Sequence, residues 1–418
     1  MLVVSGVAGV TTCSSGIDNK EVSYSIAFSE DVAIVGISGG MHSVHVTSTH
    51  AWTTSTDAEW ISFVTPSGTG NGAVSFSVDA TFQNVLREGV ITFSTSDASY
   101  TNQLTVHQMG FDDVDNSIFL GATTEMGRRF VLYSDGLVSN VTSDKQYAIN
   151  EEVSVLEIAY TGDATGSMSP YAVFFFDVKL ENGTTLRATA ADDEDSSIKP
   201  TTVEQTKAQI IRGQLAAMQN NRSSTLDVLA GVNADFFGLS AGNNMVRSIM
   251  YRGGVCLKST FDGGATFGVV FALMTNGTAR IMNRLQYEQV EKSEIYEAVC
   301  GSIILLSNGT IITSNDHELH PRTAAGISSF GNRVFLLVVD GRREGHSVGA
   351  SYLMLSKMLL AMGAHDAVNL DGGGSSTFAV RTSDAIPATA ASFQTLNRPT
   401  DNAGDRAVAN GVAIVKMK

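Results

Sequence analysis

Residues 367–380 form the stretch AVNLDGGGSSTFAV, which passes from an apolar segment into one aspartate, three glycines and two serines and then returns to apolar residues. A Gly/Ser spacer joins domains and does not need apolar segments on both sides. The stretch therefore predicts a loop at the end of a buried strand, either as a simple tight connection or as an anion site built from converging N–H groups and hydroxyls. The expected anion-binding residues are Gly372, Gly373, Gly374, Ser375 and Ser376.

The segments before this loop predict the surrounding fold. Residues 333–343, RVFLLVVDGRR, form an apolar run that ends at Asp340. Residues 347–363 have apolar residues at helical spacing, which predicts a helix capped by Ser347. A strand, a helix and a strand of these lengths predict a βαβ unit with parallel strands. Asp340 and Asp371 would then lie at the same carboxyl-terminal edge of one sheet, where α/β proteins bind ligands.

Other local signals predict one more helix and several turns. Helical spacing predicts a helix over residues 202–221, capped by Thr201 or Thr202. Asn-Gly pairs between apolar runs predict two-residue hairpin turns. These pairs are at residues 182–183, 276–277 and 308–309.

Composition limits the function classes. The chain has 418 residues, 43% of them hydrophobic, which predicts more than one domain. Its 40 glycines and 6 prolines favour a β-rich fold with many turns. The net charge of -15 disfavours nucleic acid and anionic membranes as partners, so a phosphate group would have to be bound by a few local arginines. No apolar run is long enough to predict a membrane-spanning helix.

The three cysteines, Cys13, Cys256 and Cys300, have no metal-ligand spacing and cannot form a disulfide framework. We expect free thiols at Cys256 and Cys300, with a bridge between them as the alternative. The apolar start of the chain indicates either the end of a trimmed signal segment, with Cys13 as a lipid-attachment site, or a disordered start.

Three regions are predicted: a signal remnant or linker at 1–30, an all-β domain at 31–110 and a larger domain at 117–418. Residues 31–110 alternate apolar and polar residues in short runs, which is typical of a β-sandwich. Trp52 and Trp60 either fill its core or stack on a sugar.

The first domain resembles the BACON family of immunoglobulin-like modules in the segments EWISFVTPSGTGN, REGVITFS and TVHQMG. This resemblance implies an exported bacterial protein, periplasmic or at the cell surface, and it allows for carbohydrate contact by this domain. The overall fold class expected is an immunoglobulin-like sandwich followed by an α+β domain with a mixed sheet that contains at least one parallel βαβ unit.

Polar residues follow or precede several other predicted strands of the second domain. Each of them alone is typical of a cap or a surface group. Together with Asp340 and Asp371 they supply the arginines, amides and carboxylates of a sugar-phosphate site. They are Asn233, Arg322, Thr323, Arg342, Asn369, Arg406 and Asn410.

Five segments of the second domain, in chain order, resemble the phosphodiester glycosidase family, which includes the mammalian uncovering enzyme. They are GVNADFF, HPRTAAG, VVDGR, GAHDAVNLDGGGSST and RAVANGVAIV. The resemblance implies hydrolysis of an α-linked, GlcNAc-like sugar from a sugar 1-phosphodiester, which leaves a phosphomonoester. Carried over by position, the resemblance implies that the pocket is lined by Asn233, Arg322, Thr323, Asp340, Arg342, Asn369, Asp371, Gly372, Gly373, Ser375, Arg406 and Asn410. Ala234 and Asp235 stand where many members have glycines.

The chemistry assigns roles to these residues. Asp371 would act at the anomeric carbon, and Arg322, Arg342, Arg406 and the loop glycines would hold the phosphate. Asp340 would be a general base or a ligand of a sugar hydroxyl. Aspartates on adjacent strands would suit retention of configuration, and one intervening strand would favour inversion.

Two other functions remain open. One is a phosphodiesterase that cuts at phosphorus, which usually needs a metal cluster or a nucleophile; the histidines show no metal-binding spacing, and we expect neither metal nor cofactor. The other is a non-catalytic glycan-binding protein of the cell surface.

Overall fold

The computed structural model describes residues 25–418 except 82, 96–99, 164–165, 200–206, 240–243, 263–265, 314–317 and 402–403. Contacts divide the chain into two compact units, one ending at Val114 and the other running from Asp115 to Lys418. The predictions for Cys13 and for a helix cap at Thr201 or Thr202 fall outside the described residues.

The first unit contains two β-sheets. One has the strand order β1-β3-β7-β5, and the other has the order β2-β9-β8-β4-β6, in which β2 and β9 are parallel. The strands are β1 (Ile26–Phe28), β2 (Val32–Val35), β3 (Gly40–Ser48), β4 (Ala51–Thr56), β5 (Ile61–Phe63), β6 (Ser67–Thr69), β7 (Gly72–Val78), β8 (Arg87–Thr95) and β9 (Thr101–Gln108).

Alternating side chains from both sheets form one apolar core in this unit. Trp52 is 2% exposed, and its indole N–H donates to the carbonyl oxygen of Gly70 at 3.0 Å. Trp60 is half-buried against the same core, with the Arg87 guanidinium 4.3 Å from the centre of its ring. Trp52 is therefore a core residue, and Trp60 keeps only part of its surface accessible.

The second unit is also mostly β-structure. Its strands are β10 (Asn140–Asn150), β11 (Val153–Asp163), β12 (Met168–Lys179), β13 (Thr184–Ala188), β14 (Leu226–Asn233), β15 (Met250–Arg252), β16 (Val255–Lys258), β17 (Val269–Met274), β18 (Ala279–Met282), β19 (Ile295–Gly301), β20 (Ile304–Ser307), β21 (Thr310–Ile311), β22 (Arg322–Ile327), β23 (Arg333–Val339), β24 (Asp366–Asn369), β25 (Phe378–Arg381), β26 (Phe393–Thr395) and β27 (Gly411–Met417). Its helices are α1 (Glu125–Tyr133), α2 (Ile211–Arg222), α3 (Arg284–Gln289) and α4 (Tyr352–Ala361).

These strands form three sheets. Their orders are β10-β11-β12-β23-β22-β24-β20-β21, β13-β27-β14-β25-β26 and β16-β15-β19-β17-β18. One apolar cluster includes side chains from all three, and a smaller cluster lies within the last sheet. Cys256 and Cys300 are free thiols, and Cys300 is buried. Among the described residues, no helix combines the length and apolarity needed to cross a membrane.

The predicted mixed sheet with a parallel βαβ unit is not formed, because every hydrogen-bonded strand pair described in the second unit is antiparallel. β23, α4 and β24 follow one another as expected, but β22 lies between the two strands and is antiparallel to both. β23 and β24 therefore run in the same direction without being hydrogen-bonded neighbours. The reason is local: β22 and β23 are joined by a short turn at 328–332 and form a hairpin, which places β22 first beside β23.

Both predicted helices begin later than expected. α4 is capped by Ser351, whose hydroxyl accepts from the Met354 N–H at 3.3 Å. Ser347 donates its hydroxyl to the Asp340 carbonyl oxygen at 2.6 Å and accepts from the Ala172 N–H, so it holds the loop to β12. The helix predicted over residues 202–221 is α2. It begins at Ile211, and residues 207–210 are not helical.

The three Asn-Gly pairs lie in three different kinds of connection between strands. The pair at 308–309 closes a two-residue hairpin between β20 and β21, and both of its residues have positive φ. The pair at 276–277 lies in a four-residue connection between the antiparallel strands β17 and β18. The pair at 182–183 connects β12 and β13, which belong to different sheets, so the hairpin prediction there is wrong. An Asn-Gly turn fixes a reversal of the chain but not the pairing of the strands beside it.

Candidate functional site

The loop after β24 is held to the end of β14 by its backbone. The Asp371 N–H donates to the Ala234 carbonyl oxygen at 2.8 Å. The Asn233 side-chain amide donates to the Asp371 carbonyl oxygen at 2.6 Å. Two buried strands from different sheets therefore fix the backbone of Asp371, while its side chain remains partly exposed.

The environment of the Asp371 carboxylate raises its pKa to about 6, mainly because it is largely buried. A hydrogen bond from Ser375, the positive charge of Arg406 and the Gly372 N–H act in the opposite direction and favour the ionised form. Asp371 thus exchanges its proton close to neutral pH, in the range expected of a group that transfers protons during catalysis.

Two arginines lie along the glycines of this loop. Arg406 binds Asp401 with two hydrogen bonds, Nε to Oδ2 at 2.7 Å and Nη2 to Oδ1 at 2.9 Å, and its Nη1 lies 3.4 Å from the Ser375 hydroxyl. A methyl group at Gly374 would collide with both Asp401 and Arg406. A methyl group at Gly373 would lie 3.5 Å from Nη1 of Arg342.

Arg342 is exposed and has a left-handed backbone, with φ of 54°. Its Nη2 lies 3.0 Å from Nδ1 of His320. Left-handed backbone is unfavourable for a side chain with a Cβ and is common at functional loops. Arg342 and Arg406 thus place two guanidinium groups beside the loop, and the charge of Arg406 is shared with the Asp401 carboxylate.

The loop's own N–H groups contribute less than predicted. The Gly373 N–H donates to the Pro321 carbonyl oxygen at 2.9 Å, and the N–H groups of Ser375 and Ser376 donate to carbonyl groups of the loop itself. The Gly372 N–H donates a hydrogen bond to the Asp371 carboxylate. The groups beside the loop that are best suited to bind an anion are therefore arginine side chains, and not a convergent set of backbone N–H groups.

Three of the predicted site residues are buried in the scaffold of the loop. Asn233, Thr323 and Asn410 have no exposed surface. The Asn233 side-chain oxygen accepts from the Thr323 hydroxyl at 2.7 Å and from the Thr377 N–H at 3.0 Å. These residues hold the loop in place rather than line an open surface.

Arg322 is also mostly buried, with 7% of its surface exposed. Its guanidinium lies 4.1 Å from the centre of the Tyr352 ring, and its Nε donates to the Ala350 carbonyl oxygen at 3.1 Å. The same side chain also reaches the Glu318 carbonyl oxygen at 3.4 Å. Arg322 therefore anchors the turn before α4.

Asp340, at the end of β23, is 1% exposed and has several hydrogen bonds. Its carboxylate accepts from the Asn397 amide at 3.0 Å, from the Arg398 N–H at 2.8 Å and 3.1 Å, and lies 2.8 Å from Nε2 of His346. A cavity of about 400 Å³ lies beside this cluster, lined by residues of β10, β11 and β12 together with His346, Leu396 and Arg398.

Two polar atoms of the predicted site are buried without a hydrogen-bond partner among the described residues. They are Oδ1 of Asn369 and the hydroxyl of Ser376. The Asn369 amide N–H group donates to Ser302 and to the Leu370 carbonyl oxygen. Buried polar atoms are nearly always paired, so these two atoms are suited to bind a ligand or water.

Sequence reasoning assigned no site role to several residues that build the site. Asp235, Asn397 and Asp401 each bind a predicted site residue through a side-chain hydrogen bond. Asp401 lies only five positions before Arg406, a signal that was available from the sequence. Asp235 and Asn397 act across distances that the sequence does not indicate. In the described part of the chain, no three His, Cys, Asp or Glu side chains are grouped as a metal site would require.

Each of the two units contains a match to a family model. Residues 227–415 match the family model described as phosphodiester glycosidase. Residues 50–109 match the BACON model, described as "Putative binding domain, N-terminal". Both predicted resemblances are confirmed. No curated protein matches the chain in sequence.

Solved structures are similar at low identity. One is the catalytic domain of zebrafish N-acetylglucosamine-1-phosphodiester alpha-N-acetylglucosaminidase auto-inhibited by its pro-peptide, with 16% identity and a TM-score of 0.46 over 65% of this chain and 87% of that chain. Another is a hypothetical protein from Synechocystis, with 11% identity and a TM-score of 0.41 over 94% of this chain and 76% of that chain.

Proposed function

We propose, from the phosphodiester glycosidase match over residues 227–415, that the chain hydrolyses an α-linked, GlcNAc-like sugar from a sugar 1-phosphodiester and leaves a phosphomonoester. The observation that carries this proposal is the position of the Asp371 carboxylate in that segment, where the nearby charge of Arg406 favours its ionised form. In this reaction positive charge develops at the anomeric carbon while negative charge is released on the phosphate, so a carboxylate beside a guanidinium group suits both.

Asp371 is assigned the role of general base. The leaving phosphomonoester has a second pKa of about 6, so it departs without a protonated acid. A general base works best when its pKa lies near the operating pH, and burial raises the pKa of Asp371 to about 6. Asp371 would therefore take a proton from the water that attacks the anomeric carbon.

The phosphate is assigned to Arg406 and Arg342, whose guanidinium groups lie along Gly374 and Gly373. Arg322, with its buried stacking on Tyr352, is assigned a supporting role in shaping this edge. The unpaired Oδ1 of Asn369 is assigned to a sugar hydroxyl, from which it would accept, and the unpaired Ser376 hydroxyl is assigned to the sugar or to a phosphate oxygen. A fixed bidentate pair such as Arg406 with Asp401 orients the guanidinium before substrate arrives, which lowers the cost of binding.

The strand order supports inversion of configuration. β22 separates β23 from β24, so the strands that carry Asp340 and Asp371 are roughly 10 Å apart, at about 4.8 Å for each neighbouring strand. Retaining enzymes need two carboxyl groups about 5 to 5.5 Å apart. The many hydrogen bonds to Asp340 further favour a positioning role for it, which leaves Asp371 as the single base of a direct displacement.

Hydrolysis of an α-GlcNAc phosphodiester in water labelled with heavy oxygen tests this function. The label should enter the sugar, NMR should show the β-anomer first, and Asp371→Asn should lose more than about a hundredfold in kcat. The exposed Asp384→Asn variant is the matched control. Label in the phosphate would instead indicate a phosphodiesterase, and binding without release of sugar would indicate a glycan-binding protein.

An exported location is proposed with this function, because the BACON match at residues 50–109 is typical of exported bacterial proteins. The partially accessible Trp60 beside Arg87 is the feature of the first unit that is best suited to contact carbohydrate. Lipid attachment at Cys13 stays a prediction from the sequence.

A further inference from the structure

A second carboxyl group is built into the backbone support of Asp371. Asp235 lies two positions after the last residue of β14 and is 2% exposed. Its Oδ2 accepts from the Asn410 side-chain amide at 2.5 Å, and its Oδ1 accepts from the Cys300 N–H at 3.0 Å. Its own N–H donates to Oδ1 of Asn410 at 3.0 Å. Three strands, β14, β19 and β27, therefore determine where this carboxyl group lies.

The same short segment is bonded to Asp371. The Ala234 carbonyl oxygen accepts from the Asp371 N–H at 2.8 Å, and the Ala234 N–H donates to the Asn410 carbonyl oxygen at 3.3 Å. Asp235 and Asp371 are close enough for the negative charge of Asp371 to raise the pKa of Asp235. The two carboxyl groups are thus connected both through hydrogen bonds of the backbone and through space.

We propose that Asp235 is a positioning residue that sets the alkaline limit of catalysis by Asp371. This inference rests on the proposed function. While Asp235 is neutral, it holds Asn410 and the segment that supports Asp371 without adding charge to the site. When it ionises, a second negative charge lies near the general base and near an anionic substrate, and phosphodiester binding weakens.

The protonation behaviour of Asp235 agrees with this role. Burial raises its pKa to about 8, the hydrogen bonds from Asn410 and the Cys300 N–H act in the opposite direction, and the charge of Asp371 raises it further. The pKa of the neighbouring Cys300 thiol is raised well above its usual range by burial and by Asp235. On the other side, Arg406 faces Asp371 and is itself bound to Asp401. Asp235 is therefore the group of this set that changes charge just above neutral pH.

The pH dependence of kcat/KM tests the inference. The full chain should show an acid limb near pH 6 from Asp371 and an alkaline limb near pH 8. At pH 9 its kcat/KM should fall to about a tenth of the plateau, whereas Asp235→Asn should hold its own plateau and keep only the acid limb. The exposed Asp384→Asn should follow the parent chain. An unchanged alkaline limb in Asp235→Asn would overturn the proposal.

Carbon-13 NMR of aspartate-labelled protein provides a second measurement that needs neither a substrate nor a change at Asp235. A carboxyl signal should titrate near pH 8 in the parent chain and at lower pH in Asp371→Asn, because the like charge is removed. A titration that does not move in Asp371→Asn would contradict the pairing. If the chain lacks phosphodiester glycosidase activity but shows this shift, the proposed function fails while the carboxyl pair stands.

Discussion

The side-chain amide of Asn397 lies 3.0 Å from the Asp340 carboxylate and also donates to the Ser376 carbonyl oxygen at 3.0 Å. The oxygen of the same amide accepts from the Phe378 N–H at 2.7 Å. One buried side chain therefore connects the end of β23 to the loop that carries Asp371 and to the start of β25. This connection explains why an aspartate at position 340 can matter for the loop without contacting a substrate.

Asp340→Asn should reduce stability as well as activity. An amide at this position would direct its NH₂ group at the Arg398 N–H or at the Asn397 amide, and the lost hydrogen bonds should lower the free energy of unfolding by about 1–3 kcal/mol. Thermal unfolding and kcat measured on the same preparation check this. If Asp340→Asn lost turnover with no change in stability, Asp340 would have a direct chemical role, as a general base would.

Gly374→Ala should lower activity by displacing a cation from the loop. A methyl group there would collide with the ends of the Asp401 and Arg406 side chains, so this ion pair must move away from its position beside the loop. Loss of one positioned cation at a developing negative charge should lower kcat/KM by about 10²–10³-fold. Gly36→Ala is the matched control, because a methyl group at Gly36 meets nothing within 4 Å. Gly374→Ala with full activity would show that Arg406 does not need this position.

The elements of the second unit could be predicted where the signal is local. The apolar runs ending at Asp340 and Asp371 and the helix between them all form, because length and periodicity depend on neighbouring residues. The placement of β22 between the two strands could not be predicted, since the choice of a neighbour depends on the whole sheet. Ser347 was the wrong cap for a related reason: a serine that can cap a helix can equally bind the loop and strand beside it.

The candidate site, like the fold, could be predicted from the sequence only in part. Asp371, Arg342 and Arg406 were predicted from polar residues at strand ends, and they do lie around one loop. The residues that orient them were missed. Asn397 and Asp235 act through hydrogen bonds between segments far apart in the chain, and a single sequence holds no record of such contacts.

Arg129→Met should loosen the end of α4. Arg129 is 4% exposed, and its guanidinium donates to the carbonyl oxygens of Ala361 and Met362, which no further helical turn can satisfy. Its removal should lower the free energy of unfolding by about 2–4 kcal/mol. Hydrogen exchange of peptides from α4 should rise, while the exposed Arg280→Met should leave it unchanged. Equal exchange in both variants would contradict the capping role.

Glu297 should make the stability of the second unit depend on pH. It is 5% exposed, accepts from the N–H groups of Ala188 and Gly253 at 3.1 Å each, and lies 3.6 Å from Nε of Arg187. Burial nevertheless raises its pKa to about 7, against these favourable contacts. The folded pKa is above the unfolded value, so the contribution of Glu297 to stability is fully present below about pH 4.5 and is lost as the pH rises through about 7.

Glu297→Gln should therefore become more stable relative to the parent chain as the pH rises from 5 to 8, by up to about 3 kcal/mol. The mismatched hydrogen bonds of the glutamine add a cost that does not depend on pH, so the slope of the difference, rather than its value, is the measurement. Other titrating groups, including Asp235 and Asp371, are common to both proteins and cancel in the difference. Chemical denaturation across this range, with the exposed Glu181→Gln as control, should show the slope for Glu297→Gln alone. A flat difference would mean that Glu297 is ionised in the folded chain at all of these pH values and that Arg187 outweighs its burial.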